Sequence, residues 1–116
     1  MKNLINRVQL IGHLGKDVET HEFSAGKKIA KATMATTESY YNKDGDRVEN
    51  TDWHNLVAWG KTAELMANLG TKGAKIAISG KISNRSYEDK SGIKKYVTEV
   101  IVDEFMLMTP KNKVPF

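Results

Sequence analysis

Residue types that support whole classes of chemistry are scarce or absent in this sequence. It contains no cysteine, which excludes disulfide bonds, cysteine-ligated zinc and thiol catalysis. Its only two prolines, Pro110 and Pro115, lie among the last seven residues, so no proline interrupts the rest of the chain. No apolar run approaches the length of a signal peptide or a membrane span. We therefore expect a cytoplasmic protein without membrane attachment.

The length and the charge of the chain limit its organisation and its partners. A chain of 116 residues has room for one compact domain. We predict that this domain covers residues 1–108 and that residues 109–116, which lack any periodic pattern, form a short flexible tail. The 18 Lys and Arg residues exceed the 14 Asp and Glu residues, giving a net charge of +4. This surplus suits a polyanionic partner, but it also suits an ordinary solvated surface.

The hydrophobic pattern has a period of two between turn residues, which predicts an all-β fold. Helix formers over residues 61–69, with Leu65, Met66 and Leu69 on one side, predict one short helix that ends at Gly70. The helix lies between the third and fourth predicted strands, an order typical of the OB-fold, a five-stranded Greek-key β-barrel. Gly12, Gly15 and Gly80 are candidates for its corners and bulges. The predicted strands cover roughly 4–12, 28–41, 48–59, 74–88 and 95–108.

The third predicted strand carries both tryptophans of the chain. Residues of equal parity share a face of a strand, so Trp53 and Trp59 point away from the side that holds Leu56 and Ala58. The two indoles are then separated by roughly 20 Å along the strand. One interpretation is a stacking platform for unpaired bases. The other is that both indoles pack under a loop or in a subunit interface.

Cations accompany the aromatic residues in two further segments. In the first predicted hairpin Tyr40 and Tyr41 precede Lys43 and Arg47, and parity does not choose between the two tyrosines because a bulge would exchange their faces. Aromatic rings offer a face to any base while cations follow the phosphates, so the combination favours single-stranded nucleic acid. Each lysine taken alone is better explained as a solvated surface charge, and it is the combination across the strands that favours binding. One face of the fourth predicted strand carries Lys75, Lys81, Arg85 and Tyr87.

Several segments together resemble the bacterial-type single-stranded DNA-binding proteins over roughly residues 5–108. The resemblance begins with the first predicted strand and continues in order to the last. Several of the segments are of motif length, so the resemblance is more specific than a general barrel pattern. They are Asn6-Arg7-Val8-Gln9-Leu10-Ile11-Gly12-His13-Leu14-Gly15-Lys16-Asp17, Ala35-Thr36-Thr37-Glu38-Ser39-Tyr40, Thr51-Asp52-Trp53-His54-Asn55, Trp59-Gly60-Lys61-Thr62-Ala63-Glu64, Lys72-Gly73 and Tyr96-Val97-Thr98-Glu99-Val100.

The resemblance implies a nucleoid-associated OB-fold protein that binds and protects single-stranded DNA in replication, recombination and repair. It implies a homotetramer and neither catalysis nor a cofactor or metal. His54 falls at a subunit-interface position. The stacking positions fall on Tyr40, Trp53, Trp59 and Tyr87, where the family more often has Trp at the first and last and Phe at the third. The phosphate contacts fall on Arg7, Lys61, Lys72 and Arg85, to which the face of the fourth predicted strand adds Lys81.

The tail departs from the family pattern. Many members end in an acidic tip with a final Pro-Phe that docks partner proteins. Here Pro115-Phe116 is present, but the segment before it is basic. Recruitment of replication and repair proteins through this tail is therefore in doubt.

Two other classes of function, an enzyme and a different kind of binding module, have some support in the sequence. The support for an enzyme is weak: residues 12–17 only superficially resemble a phosphate-binding loop, because Lys16 is followed by Asp instead of Ser or Thr. An RNA-binding OB-fold or a protein adaptor also remains open, because stacking does not distinguish DNA from RNA. A group of acids around the first hairpin could hold Mg²⁺ in a nuclease, although a solvated turn explains it more simply; the group comprises Glu38, Asp44, Asp46, Glu49 and Asp52.

Overall fold

A computed structural model of the chain describes residues 2–23 and 26–108 and consists mainly of long β-strands. The predicted tail, residues 109–116, lies outside the described residues. No helix within the described ranges is both long and apolar enough to cross a bilayer. The elements are α1 (Lys2–Ile5), β1 (Val8–Leu14), β2 (Glu19–Phe23), β3 (Lys27–Tyr41), β4 (Arg47–Trp59), α2 (Gly60–Leu69), β5 (Lys75–Glu88) and β6 (Lys94–Leu107).

Five of the strands close into a barrel because β1 pairs with two partners. It is antiparallel to β5 along most of its length and to β3 at its end, where His13 is opposite both Lys75 and Ala35. The remaining pairings are β5–β6 and β3–β4, both antiparallel, and a short parallel contact between β4 and β6. Counting barrel strands alone, α2 connects the third to the fourth. The all-β, five-stranded barrel with one such helix is therefore confirmed.

The barrel interior is filled by the inward parity of each strand, and α2 covers one end. Ala63 and Met66 of α2 are buried, but Leu65 is 42% exposed, so the predicted apolar side of the helix is wrong at that residue. The spacing of three residues from Ala63 to Met66 defines the buried stripe, and Leu65 lies beside it. The largest fully buried side chains are Met34, Leu56, Met66, Ile76 and Ile78.

The first strand begins later than its pattern predicts, at Val8 instead of residue 4. Asn6 explains the difference: its Nδ2 donates to the carbonyl of Ile82 and its Oδ1 accepts from the Ile82 amide, both at 3.0 Å. The side-chain amide thus replaces a backbone partner of β5, and Leu4 and Ile5 stay exposed. The short strand β2 was not predicted, because its sequence has no apolar alternation and it forms by backbone pairing with β3.

Two of the predicted glycine sites mark close approaches of the backbone. A Cβ on Gly12 would overlap the carbonyl oxygen of Ala35, where the barrel closes, and one on Gly80 would overlap that of Ile101. At Gly80 the β5–β6 register shifts by one residue, which is the predicted bulge. Because the extra residue is in β6, Asp103 and Glu104 both reach the outer surface.

Candidate nucleic-acid interface

The orientation of both tryptophans follows from the pairing of β4 with β3. The ladder is continuous, with Trp53 opposite Ala35 and Trp59 opposite Ile29. Leu56 on the other parity is buried in the barrel, whereas Trp53 is 63% exposed and Trp59 50% exposed. Both indoles therefore stand on the outer face of the barrel.

Trp53 packs against the residue that follows β1, because Gly15 has no side chain there. A Cβ built on Gly15 would lie 2.6 Å from Cζ3 of Trp53, closer than carbon atoms can approach. Gly15, the third of the predicted glycine sites, therefore leaves the space that the indole of Trp53 occupies. One edge of the indole is covered while most of its surface remains open.

A groove opens on this face where β4 and β6 separate beyond their parallel contact at Leu56 and Val57. Its volume is about 280 Å³, and Asn55, between the two tryptophans on β4, contributes to its wall. Sequence reasoning missed Lys16 and Lys31 as members of the site. The outward parity of β3 could have indicated Lys31, because Lys31 pairs with Val57 of the Trp53 face. The charged residues that line the groove are Lys16, Lys31, Arg85, Glu19 and Glu99.

Arg85 enters the groove from β5 and is held there by a buried acid. Its Nε donates to Oε1 of Glu99 at 2.9 Å, and Glu99 is only 8% exposed. Hydrogen bonding and charge from Glu99 raise the pKa of Arg85 above its ordinary value. The guanidinium carbon lies 5.9 Å from the ring centre of Tyr87, which is 45% exposed on the same side of the strand. The pair places a cation and an aromatic ring side by side.

Arg7 already has an acidic partner. Its Nη1 and Nη2 donate to the two carboxylate oxygens of Asp103 at 2.6 and 2.8 Å, and Glu104 lies 4.0 Å away. This fork holds the pKa of the Asp103 carboxyl below its usual value, chiefly through the hydrogen bond from Arg7. Lys81 lines the same surface depression as Arg7, Asp103 and Glu104. A phosphate there would meet two cations together with two acids.

Lys61 and Lys72 lie on connections between strands. Lys61 is exposed in the first turn of α2, two residues after Trp59. Lys72 is exposed in the turn after α2, where its backbone amide donates to Asp17 at 2.7 Å. The Asp17 carboxylate thus fixes the turn that carries Lys72 next to the end of β1.

Two of the predicted site residues have the opposite parity from Trp53. His54 is partly buried and shares a hydrogen bond of 2.8 Å with the Thr36 hydroxyl. Tyr40 is opposite Val48, on the side of the β3–β4 hairpin that faces away from the tryptophans. The structure therefore does not bring Tyr40 together with Trp53 and Trp59 on one face.

The acids of this hairpin do not converge. Glu38 and Asp52 are on one face and Glu49 is on the other. Asp44 and Asp46 are in the turn, where their backbone amides donate to Oδ1 of Asn42. Over the described ranges, no three His, Asp or Glu side chains are grouped so that they could hold a metal ion.

Comparison with known proteins relates the chain to proteins that bind single strands. The model of the single-strand binding protein family matches residues 5–108. The chain is 38% identical over 109 residues to single-stranded DNA-binding protein 1 of Chlorobaculum tepidum, with 93% of this chain and 67% of that protein covered. It is 39% identical over 110 residues to the single-stranded DNA-binding protein of Bacteroides thetaiotaomicron, with 93% and 68% covered. For the Enterococcus faecalis protein the identity is 38%, but the chain spans only 57% of that protein's length.

Solved structures share the fold. The Plasmodium falciparum SSB in complex with ssDNA superposes with a TM-score of 0.83 at 22% identity, covering 90% of this chain and 96% of that one. A deletion mutant of the single-stranded DNA-binding protein from Thermus aquaticus superposes with a TM-score of 0.78 at 25% identity, covering 90% and 51%. The barrel is thus an OB-fold of the kind found in these proteins.

The Arg7–Asp103 pair predicts a pH dependence of stability. Because the folded pKa of Asp103 is lowered from its ordinary 3.8, the pair stabilises the fold above that value, and this stabilisation is lost as the pH falls through the lowered value. Asp103→Asn should therefore reduce the free energy of unfolding at roughly pH 7 and reduce it by less at roughly pH 2. The effect should be small and weaker in high salt, since Asp103 is 54% exposed. Urea denaturation at both pH values checks it, and an equal difference at both would contradict it.

Proposed function

This chain belongs to the single-strand binding protein family, and on that premise we propose that it binds and protects single-stranded DNA without sequence preference in replication, recombination and repair. The family is one of binding proteins and not of enzymes. The observation that carries the proposal is the pair of exposed indoles on one face of the barrel, with a cation-lined groove between them. The role places the protein on the nucleoid of the cytoplasm.

Trp53 and Trp59 stack on bases while the groove holds the backbone that connects them. Each stacked base contributes about 1–3 kcal/mol in proteins that bind single strands in this way, and any base offers a π-face. Lys31 and Arg85 supply positive charge within the groove, where phosphates pass between the two indoles. Asn55 can donate or accept a hydrogen bond at the same place without selecting one base.

The remaining predicted contacts act around this centre. Tyr87 stacks on a base at the β5–β6 arm, where Arg85 stands beside its ring. Lys61 and Lys72 contact phosphates at the two ends of α2. Arg7 and Lys81 contribute less, because Asp103 and Glu104 offset much of their charge.

We also propose that the chain assembles into a homotetramer in which His54 contributes to a subunit contact. A partly apolar strip on the outer face of β1, β5 and β6 supports self-association, since Ile11 is 50% and Met106 59% exposed at neighbouring positions of the sheet. Light scattering should give four times the chain mass of 13.0 kDa. Ile11→Glu should reduce that mass by introducing charge into the strip, and a monomeric unmodified protein would contradict the proposal.

Titration with oligo(dT), followed by intrinsic tryptophan fluorescence, tests the stacking mechanism directly. The fluorescence should be quenched to saturation at a defined ratio of nucleotide to protein, because the two tryptophans of the chain are the two proposed stacking residues. Trp53→Phe and Trp59→Phe should each remove part of the quenching. Trp53→Ala and Trp59→Ala should each weaken binding by about 1–3 kcal/mol.

Controls separate the alternatives to this function. A duplex of equal length should bind more weakly, and matched oligo(U) measures the preference for DNA over RNA. Absence of both quenching and affinity would identify a protein adaptor in place of a DNA-binding protein. Affinity unaffected by salt would exclude phosphate contacts as its source.

Lys31 provides a test of the groove. Lys31→Ala should weaken oligo(dT) binding and reduce the slope of log affinity against log salt by about 0.7, the value for one phosphate contact on a single strand. Lys28→Ala is the matched control, because Lys28 has the opposite parity on β3 and faces the side of α2. Equal effects of the two variants would show that the groove does not hold the backbone.

A further inference from the structure

A carboxylate lies within the groove that is proposed to hold phosphates. Glu99 of β6 lines this groove, and over residues 2–23 and 26–108 it is the one charged side chain that is buried. A negative charge at this place repels phosphates, and enclosing it away from water is itself unfavourable. Both effects oppose binding unless the carboxylate also acts on the cations around it.

The two acids of the groove are held differently. Glu19 is 3.5 Å from Lys16, and both side chains are exposed, so water and salt screen their attraction. Glu99 accepts from Nε of Arg85 at 2.9 Å and from Nη2 at 3.5 Å. Because the Glu99 carboxylate is enclosed by packed neighbours, it has few alternative positions, and the guanidinium bound to it is held in one place.

The contact with Glu99 uses only one edge of the Arg85 guanidinium. Its N–H donors are arranged in a rigid planar fork, and the carboxylate accepts from those on the Nε side. Nη1 takes no part in this contact. The Nη1–Nη2 edge of the fork is the edge that matches a phosphate, which arginine binds bidentately.

The neighbouring aromatic ring does not provide the same constraint. The guanidinium carbon of Arg85 is 5.9 Å from the ring centre of Tyr87, at the outer limit of roughly 6 Å for a cation–π contact. The Arg85 side chain is half exposed, and a long side chain that is free in solvent loses rotamer freedom when it binds. Pairing with Glu99 moves part of that loss from binding to folding.

We propose that Glu99 is a positioning residue for DNA binding: its buried carboxylate takes the Nε edge of Arg85 and thereby presents the Nη1–Nη2 edge to a phosphate of the bound strand. This rests on the proposed DNA-binding function and adds a residue that acts through Arg85. The guanidinium stands between the carboxylate and the phosphate and separates their charges. Glu99 therefore strengthens binding although its own charge opposes it.

Substitutions of Glu99 separate its hydrogen bond to Arg85 from its charge. Glu99→Met fills the space without a strong acceptor, and it should weaken oligo(dT) binding by about threefold to tenfold because Arg85 is released. Glu99→Gln retains an oxygen that can accept from Nε but removes the charge, so this variant should bind at least as tightly as the unmodified protein. The titrations are made at a salt concentration high enough for dissociation to be measured.

Glu19 provides the matched control, because it is an acid of the same groove without the buried contact. Glu19→Met and Glu19→Gln should both strengthen binding slightly, since each removes the same screened charge. If Glu99→Met strengthens binding as Glu19→Met does, Glu99 acts only as a charge and the proposal is wrong.

Substitutions of Arg85 show whether the effect of Glu99 passes through the guanidinium. In a chain that carries Arg85→Ala, Glu99→Met should cease to weaken binding, because no guanidinium remains to be positioned. Arg85→Lys leaves Glu99 in place and keeps the positive charge, but it replaces the fork by one nitrogen. This variant should bind more weakly than the unmodified protein, and it tests the proposal independently of how well the Glu99 variants fold.

The outcomes distinguish this proposal from the function on which it rests. If the unmodified protein binds no oligo(dT), the DNA-binding function itself fails. If it binds, but Glu99→Met weakens binding equally with and without Arg85, or Arg85→Lys binds as tightly as the unmodified protein, only the positioning role of Glu99 is overturned.

Discussion

The pairing of β3 with β4 is the constraint on which the rest of the site depends. A sheet has a side-chain period of two, so a slip of one residue would send Trp53 and Trp59 into the barrel and expel Leu56 and Ala58. This register is protected because the inward-facing side chains are deeply buried: Leu56 is only 1% exposed and Ala58 is fully covered. Core packing therefore determines which aromatic rings reach solvent, although none of those rings belongs to the core.

Closure of the barrel determines where charge collects on the surface. The β4–β6 contact is short and parallel, and the strands then diverge, so a groove opens between two strands that are neighbours in the barrel. Side chains from β3, from β5 and from the connection after β1 meet there, although Lys16, Lys31 and Arg85 are far apart in sequence. The buried carboxylate of Glu99 prevents this group from being uniformly positive and holds Arg85 in one orientation.

Alternation and turn chemistry sufficed to predict the barrel, its helix and the outward direction of Trp53 and Trp59. The start of β1 could not be predicted from the alternation of apolar residues, because the Asn6 side chain replaces a backbone partner of β5. The strand β2 could not be predicted either, because its sequence has no apolar alternation. Lys16 and Lys31 join the groove only through tertiary closure. The choice between Tyr40 and Tyr41 requires the register of the hairpin, which the sequence leaves open because a single bulge would reverse it.

The contact between Gly15 and Trp53 fixes the geometry of one ring before any ligand arrives. An exposed aromatic side chain ordinarily loses rotamer freedom on binding, at a cost of about 0.5–1.5 kcal/mol for each immobilised side chain. Here the edge of the indole already packs against the backbone at Gly15, directly after β1, so part of that ordering accompanies folding. The barrel therefore holds the Trp53 ring in a partly preorganised position, and it does so through a residue that has no side chain of its own.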